Sequence, residues 1–467
     1  MESHPWIPNS SQKIFDEMLS EIGANDVEDL FSDIPREIRE KAKIDLEIEQ
    51  SVSEYLVWRK VKQILKRNKS LLELKCFRGA GCWPHYVPAV VKEIVRRSEF
   101  YTSYTPYQAE ISQGMLQALF EYQSMIADLT GMEVVNASLY DGSTALAEAI
   151  LMAKRVNGRS KVLVPRTMNP QYLEVAKTYT KYQGIKIVEV DYCKETGYMN
   201  RDDLQNKIDD DTAAVCLEVP SFLGFIEEKP DEIAEIAHSK GALLVVSVDP
   251  ISLGILKPPA DYDADIVVGE GQPLGLGLNY GGPLLGIFGV RDLKLARKMP
   301  GRLIGMTTTL DGSQRGFCMV WQTREQHIRR ERATSNICTN ETLCAIAAAV
   351  YLSLLGPKGL RKLCEIILYN SHYLAKQLNS IEGVVAPLFK SAFFKEFVVD
   401  FSKISISVEH INRELLKRNI IGGLELSKYF PQLENAALFC TTEIHTKEDL
   451  DCLVEALREI ISGENNV

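Results

Sequence analysis

Short apolar segments alternate with helical stretches from about residue 130 onward, and this alternation constrains the fold more than any other feature. The segments span residues 161–165, 185–191, 213–220, 242–249, 264–270 and 283–290. Continuous β-branched runs of this kind are typical of parallel strands that helices bury on both faces. We therefore expect an α/β fold with a mainly parallel sheet of about seven strands.

The residues before and after these alternating segments have different patterns, which indicate separate structural regions. Residues 1–70 predict a helical arm, because apolar residues recur there at helical spacing on both sides of a turn at 32–35. After residue 335, an alanine-rich helix leads to further strands and a last helix. We expect an arm at 1–70, a large α/β domain at 71–334 and a connecting helix with a small α+β domain at 335–467.

Composition and charge exclude several classes of protein. The 467 residues carry 53 Lys and Arg against 63 Asp and Glu, a formal charge of −10, so a nucleic-acid surface is not expected. The start of the chain lacks the pattern of a signal peptide, and the most apolar helical run, 344–355, is shorter than the roughly 20 residues that cross a bilayer. We expect a cytoplasmic protein without a membrane span.

The cysteines and histidines do not predict a metal site. Ten cysteines are scattered along the chain, and without a signal peptide they are expected to be reduced and mostly buried. Cys76, Cys82 and His85 lie close in sequence, but their spacing matches no usual zinc motif. We therefore assign them a structural role and expect no metal.

Residues that directly follow a parallel strand are candidates for ligand binding, because ligands lie beyond the carboxyl ends of such strands. Asp141, Gly142, Ser143 and Thr144 lead directly into an alanine-rich helix. The backbone N–H groups at a helix start attract anions, which suits a phosphate group. On these residues alone, we favour the simpler interpretation that Asp141 or Ser143 caps the helix.

Asp249 ends the apolar strand 242–249, about a hundred residues after this helix start. A carboxylate at that place can keep the ring nitrogen of pyridoxal phosphate protonated, so that the ring accepts electrons. Taken alone, a turn residue before Pro250 is the better explanation.

An enzyme of that kind also needs a lysine near the end of the next strand, to hold the cofactor as a Schiff base. The only lysine in segment 250–283 is Lys257, and it precedes the strand. Gln272 and Pro273 stand where the lysine is expected, and neither can form an imine.

Two tyrosines are candidates for contact with a substrate. Thr105 as N-cap and Pro106 as first helical residue predict a helix that continues to about residue 130 and ends at Gly131. Tyr104 and Tyr107 would then flank a helix start, where their hydroxyls can donate to a substrate carboxylate. Core packing is the simpler interpretation of any two tyrosines.

Two further stretches are assigned structural roles. The glycine-rich stretch 269–282 lacks the spacing of a dinucleotide loop, so we expect a loop with positive φ angles and close backbone approach. The basic stretch 324–332 predicts a solvated helix face or a contact surface.

Four longer stretches resemble the glycine decarboxylase P-protein of the glycine cleavage system, specifically the first subunit of its two-subunit form. They are FRGAGCWPHYVPAVV at 77–91, SEFYTSYTPYQAEISQGMLQALFEYQ at 98–123, NASLYDGSTALAEA at 136–149 and RERATSNICTNETLCAIAAAVYLSLLGPKGL at 330–360. The resemblance extends over nearly the whole chain.

This resemblance implies an aspartate-aminotransferase-like fold, the type I fold of pyridoxal-phosphate enzymes. It also implies an α2β2 complex in which P-protein subunit 2 carries the lysine-bound cofactor, with His-Lys where this chain has Gln272 and Pro273. In the family reaction glycine loses CO2, and the aminomethyl group passes to the lipoyl group of H-protein. T-protein and L-protein are functional associates.

The resemblance further implies that this chain has no catalytic residue that works alone. We expect it to support the partner and to lend Tyr104 and Tyr107 across the interface. The remnant of a duplicated cofactor pocket would comprise Gly142, Ser143, Thr144 and Asp249. Two alternatives stay open: a self-sufficient pyridoxal-phosphate decarboxylase or aminotransferase that uses Lys257, and a scaffold protein without catalytic duty.

Overall fold

A computed structural model describes residues 4–42 and 52–464. The chain divides into two compact units, Met1–Lys69 and Ser70–Val467. The first unit contains helices α1 (Gln12–Glu21), α2 (Arg36–Lys41) and α3 (Glu54–Leu65) and a 3-10 helix at Val27–Phe31. Helices therefore account for much of the described part of residues 1–70.

The second unit contains the strands and the remaining helices. The strands are β1 (Lys75–Cys76), β2 (Val134–Val135), β3 (Lys161–Pro165), β4 (Lys186–Val190), β5 (Thr212–Val219), β6 (Leu243–Val248), β7 (Ile266–Glu270), β8 (Gly286–Val290), β9 (Leu303–Thr308), β10 (Arg315–Val320), β11 (Glu396–Asp400), β12 (Ile420–Ile421), β13 (Leu424–Glu425) and β14 (Ala436–Cys440). The helices are α4 (Ala89–Val95), α5 (Ser98–Tyr101), α6 (Gln113–Thr130), α7 (Gly142–Asn157), α8 (Pro170–Thr180), α9 (Arg201–Lys207), α10 (Pro230–Ser239), α11 (Leu293–Ala296), α12 (Gln326–Arg329), α13 (Thr342–Leu378), α14 (Val408–Lys417) and α15 (Lys447–Glu464).

A seven-stranded sheet forms the centre of the second unit, with strand order β2-β8-β7-β6-β5-β3-β4. Strands β3 to β7 pair in parallel, and β8 pairs antiparallel with both β7 and β2. The predicted mainly parallel sheet is confirmed. The predicted apolar segments supply all its strands except β2.

Both faces of this sheet are buried, as continuous apolar strands require. Neighbouring residues alternate between two hydrophobic clusters, since successive side chains of a strand point to opposite faces. Val246 belongs to the cluster that contains residues of α6 and α13, and Val245 belongs to the one that contains residues of α7 and α8. Both valines are fully buried.

The start of α6 differs from the prediction. The helix begins at Gln113 after a 3-10 turn at Ala109–Ile111, and residues 102–108 form a loop. Thr105 is not an N-cap, because no helix begins directly after it. Its hydroxyl instead accepts a hydrogen bond from Arg302 at 2.9 Å. Tyr104 and Tyr107 therefore lie in a loop and do not flank a helix start. The predicted end is confirmed, with Gly131 at φ 73°.

Helix α13 connects the large sheet to the smaller one. It is interrupted at Gly356, where φ is 59° and ψ is 179°, directly before Pro357. By length and composition it is apolar enough to cross a membrane, although half of its most apolar window is buried inside the molecule. Ala345 and Ala348 are fully buried in the cluster on one face of the large sheet, which is the position of a core helix.

The smaller sheet follows α13 and contains three antiparallel strands in the order β11-β14-β13. A separate hydrophobic cluster joins its strands to α14 and α15, with Phe397, Phe439 and Leu457 almost completely buried. The small sheet and the large sheet belong to the same compact unit. Lys395, directly before β11, lies 2.8 Å from Asp249, directly after β6, so β11 begins close to the carboxyl end of β6.

The structure agrees with the prediction for the glycine-rich stretch 269–282 and agrees only in part for the basic stretch 324–332. The glycine-rich stretch is a loop, and Gly275, Gly277 and Gly281 have φ angles of 93°, 74° and 96°, as expected. The basic stretch is not one helix face, because α12 is short and 3-10 turns flank it. Residues 326–332 are exposed, as expected. The Arg324 side chain is instead only 11% exposed, and its guanidinium pairs with Glu325 at 2.8 Å.

Candidate functional site

The helix start that suits a phosphate is capped by the chain itself. The Asp141 carboxylate accepts the backbone N–H of Thr144 at 2.7 Å and the hydroxyl of Ser143 at 2.5 Å. The Thr144 hydroxyl in turn accepts the N–H of Asp141, which completes a capping box. The capping interpretation is therefore confirmed for Asp141, and Gly142 is the first residue of α7.

A second carboxylate lies at the same helix start. Glu270 ends β7, and its Oε2 accepts the backbone N–H of Gly142 at 2.9 Å. Its Oε1 accepts the backbone N–H groups of Gln272 and Leu285 at 2.8 Å and 3.0 Å. Burial raises the pKa of Glu270 to about 7, although these backbone donors favour the ionised form. Sequence reasoning missed this residue, and its only signal is a glutamate at the end of an apolar strand.

Asp249 is bound by a lysine from the small sheet. Lys395 Nζ lies 2.8 Å from Asp249 Oδ2, and the two side chains are only 3% and 5% exposed. The same ammonium lies 3.6 Å from the ring centroid of Trp83 and 3.3 Å from Nε2 of His85. Lys395 directly precedes β11, far from Asp249 in the chain, so no local pattern predicts this pair.

Two further glutamates, Glu396 and Glu218, lie in the same buried cluster as Asp249 and Lys395. Glu396 accepts the indole N–H of Trp83 at 2.7 Å, and Glu218 accepts two backbone N–H groups at 3.0 Å and 3.1 Å. Burial raises the pKa of Glu396 to about 7 and that of Glu218 to about 8. Together with Asp249 and Lys395 they line a cavity of about 30 Å³. That volume holds about one or two water molecules.

Glu218 makes the stability of the fold depend on pH. Its pKa is raised from 4.5 to about 8 in the folded chain, so the folded state holds a proton that the unfolded state releases. Between these two pH values, the free energy of unfolding falls as pH rises, by up to about 1.4 kcal/mol per pH unit for one such group. We expect Glu218→Gln to flatten this decline in urea titrations between about pH 5 and pH 8.

Glutamine suits this test because its side-chain oxygen can accept the same two N–H groups. The matched control is Glu228→Gln, since Glu228 is exposed. It should leave the decline unchanged. Equal slopes for wild type and the Glu218 variant would contradict this description of the cluster.

The position where a lysine was expected holds a fully bonded amide. Gln272 is 1% exposed, and its side chain binds the backbone N–H and C=O of Trp83 at 3.0 Å and 3.2 Å. Its Nε2 also donates to the carbonyl of Gly277 at 2.8 Å, and the adjacent Pro273 is buried. Lys257 is exposed in the loop between β6 and β7.

The predicted tyrosines lie apart from this cluster, on a surface organised by Arg302. Arg302 Nη2 donates to the hydroxyl oxygen of Tyr107 at 2.8 Å, and the guanidinium lies 5.2 Å from the Tyr107 ring centroid. Tyr107 is 52% exposed and Tyr104 is 73% exposed. For Tyr104, the described ranges contain no side-chain hydrogen-bond partner. The sequence carried no signal for Arg302, because its partners are distant in the chain.

The cysteines and histidines do not assemble a metal site in the described residues. Within 4–42 and 52–464, no group of three or more His, Cys, Asp or Glu side chains is placed to hold a metal ion. All ten cysteines are free. His85 instead pairs with Glu443 at 2.8 Å.

The sheet order and the small C-terminal sheet define the class of protein: the aspartate-aminotransferase-like fold, the type I fold of pyridoxal-phosphate enzymes. A sphingosine-1-phosphate lyase of Burkholderia pseudomallei shares the fold at 13% identity, with a TM-score of 0.65 over 92% of this chain and 95% of that one. A crystal structure of glycine decarboxylase (P-protein) of the glycine cleavage system, in inhibitor-bound form, is more similar. It is 39% identical, with a TM-score of 0.84 over 98% of this chain and 100% of that one.

The family described as "Glycine cleavage system P-protein" matches residues 4–457. The chain belongs to this family. A relative in Staphylothermus marinus is 53% identical over 99% of both chains, and one in Aeropyrum pernix is 50% identical over 98% of this chain and 100% of its own. Both are named probable glycine dehydrogenase (decarboxylating) subunit 1.

The residues of this chain do not fit pyridoxal phosphate. A phosphate group at the start of α7 would meet the carboxylates of Asp141 and Glu270, which already accept the N–H groups there. The Asp249 carboxylate, which would have to bind the ring nitrogen, is already paired with Lys395. The cavity of about 30 Å³ is also far smaller than the roughly 300 Å³ or more of a ligand pocket.

Proposed function

We propose that this chain is the subunit of a two-subunit glycine decarboxylase that does not carry the cofactor. One observation carries the proposal: the chain's own charges fill the region where this fold binds pyridoxal phosphate, and Gln272 stands where the lysine is expected. The cofactor then belongs to P-protein subunit 2. The working enzyme is a heterotetramer of the α2β2 type, and this chain alone is inactive.

The complex binds glycine through pyridoxal phosphate, releases CO2 and transfers the aminomethyl group to the lipoyl group of H-protein. T-protein and L-protein act with it in glycine catabolism, and we place the complex in the cytoplasm. The name subunit 1 borne by the relatives supports a second subunit. Gly142, Ser143, Thr144 and Asp249 are then remnants of a duplicated pocket, retained because they now stabilise the fold.

The self-sufficient alternative has no support in the geometry. Lys257 is exposed, whereas the Asp249 side chain that it would have to approach is 5% exposed and paired with Lys395. An imine at Lys257 would require this loop and the ion pair to rearrange together. We therefore do not propose it.

Two exposed tyrosines are the candidates for contact with the substrate. Tyr104 and Tyr107 lie on one loop, within the stretch that resembles the family, and both present much of their side chains to the outside. We propose that they reach the partner's active site and that their hydroxyls bind the substrate carboxylate.

The double variant Tyr104→Phe/Tyr107→Phe tests this role in the reconstituted complex with H-protein. Loss of hydrogen bonds to a charged group is expected to raise KM for glycine by about tenfold or more. Assembly should persist, because the phenyl rings retain the packing surface. Sedimentation and glycine–CO2 exchange measure the two properties, and unchanged kinetics would remove both tyrosines from the site.

A further inference from the structure

We propose that Arg302 is a positioning residue: it holds Tyr107 so that the phenolic proton points out of this chain, toward a carboxylate of the bound substrate. The inference rests on the proposed function and deepens it. It assigns the substrate contact to Tyr107 in particular, and it assigns the control of that contact to a buried guanidinium.

Arg302 fixes two segments of the surface at once. It is 2% exposed. Its Nη2 donates to the Tyr107 hydroxyl oxygen at 2.8 Å and to the carbonyl of Cys338 at 2.7 Å. Its Nη1 donates to the hydroxyls of Thr105 and Thr339 at 2.9 Å and 2.6 Å. Loop 102–108 and the segment before α13 are therefore joined through one rigid, planar group.

This bond decides what the Tyr107 hydroxyl can do. A guanidinium has only donors, so the phenolic oxygen must accept and the phenolic proton must go elsewhere. In the described part of the chain, the Tyr107 hydroxyl donates to no acceptor. Because Tyr107 is 52% exposed, the proton is available to a group from outside this chain.

The local charge selects an anionic acceptor. Arg302 and Arg324 share the carboxylate of Glu325, with Nε to Oε1 at 3.7 Å and Nη2 to Oε1 at 2.8 Å. Within the ranges that the structure describes, it is the only carboxylate within 4.0 Å of either guanidinium. Two positive charges against one negative charge leave an excess positive charge beneath Tyr107. In a poorly solvated environment this excess attracts a carboxylate.

The experiment is a double-mutant cycle in the reconstituted complex with companion subunit and H-protein. Its variants are Arg302→Lys, Tyr107→Phe and the double variant. Lysine keeps the charge but loses the fork that reaches Tyr107 and Cys338 together. We expect each single variant to raise KM for glycine by about tenfold while kcat changes by less than about twofold.

The double variant should match Tyr107→Phe alone, because both substitutions remove the same contact. Tyr101→Phe is the matched control, since Tyr101 is 68% exposed on α5. It should leave KM unchanged. If the two effects multiply, KM for glycine rises by about a hundredfold in the double variant. That result would overturn the proposal, since Arg302 would then act independently of Tyr107.

Two other outcomes remain decisive. If the Arg302 variant does not assemble, Tyr107→Phe is compared with Tyr101→Phe, and equal KM values would overturn the proposal because the held hydroxyl would have no role. A wild-type complex without glycine–CO2 exchange would contradict the proposed function itself. If the wild-type complex exchanges CO2 normally and Tyr107→Phe leaves KM for glycine unchanged, only the present inference would be contradicted.

Discussion

Replacing Lys395 with methionine is expected to lower the free energy of unfolding of the chain by about 3–5 kcal/mol. The substitution leaves the Asp249 carboxylate buried and without its ammonium partner, while methionine retains most of the volume. Both side chains of this pair are 5% exposed or less, so water cannot replace the lost charge. Urea unfolding of the full chain, followed by circular dichroism, measures the change.

An exposed ion pair provides the matched control. Lys390 and Glu195 approach to 2.9 Å, but their side chains are 77% and 65% exposed. Lys390→Met should therefore cost less than about 1 kcal/mol. Asp249→Asn added to Lys395→Met should restore part of the lost stability, because the unpaired charge is removed. A Lys395 variant no less stable than the Lys390 variant would show that the pair does not hold the two sheets together.

The large sheet was predictable because its signal is local. Each strand of the parallel region is a continuous run of apolar residues. Such a run predicts a strand that is buried on both faces of the sheet. The exception is β2, whose two residues at the sheet edge are too short for a pattern. The end of α6 at Gly131 was also predictable, since glycine adopts positive φ without strain.

The start of α6 and most of the site were not predictable, because distant residues decide them. Thr105 fits a capping pattern locally, yet its hydroxyl binds Arg302, which is 197 positions away. Asp249 was found as a strand-end carboxylate, whereas its partner Lys395 comes from the small sheet. Glu270 looked like an ordinary strand residue. Only the folded chain brings it to the start of α7.

Purified alone, this chain is expected to be colourless and to catalyse no exchange of CO2 with glycine. Lys395 pairs with Asp249 and Glu270 binds the first N–H of α7. Gln272 cannot form an imine, so added pyridoxal phosphate should not be retained. Mixing it with P-protein subunit 2 and H-protein should restore exchange from background to full activity. This loss and recovery is the largest functional effect that we expect.

The same experiment separates the alternatives. Full turnover by subunit 2 without this chain would favour a scaffold role. A yellow isolated chain, in which borohydride fixes the cofactor to Lys257, would favour a self-sufficient enzyme. Glycine should also fail to change the absorbance of the isolated chain, whereas it should change that of the mixture.

The most direct measurement is the number of pyridoxal phosphates in the purified complex of this chain with P-protein subunit 2. Cofactor released by alkali is quantified against protein, and mass spectrometry of the borohydride-reduced subunits locates it. We expect two cofactors for each four chains, all on subunit 2. Four cofactors, or any fixed to this chain, would contradict the claim that its own pocket is closed.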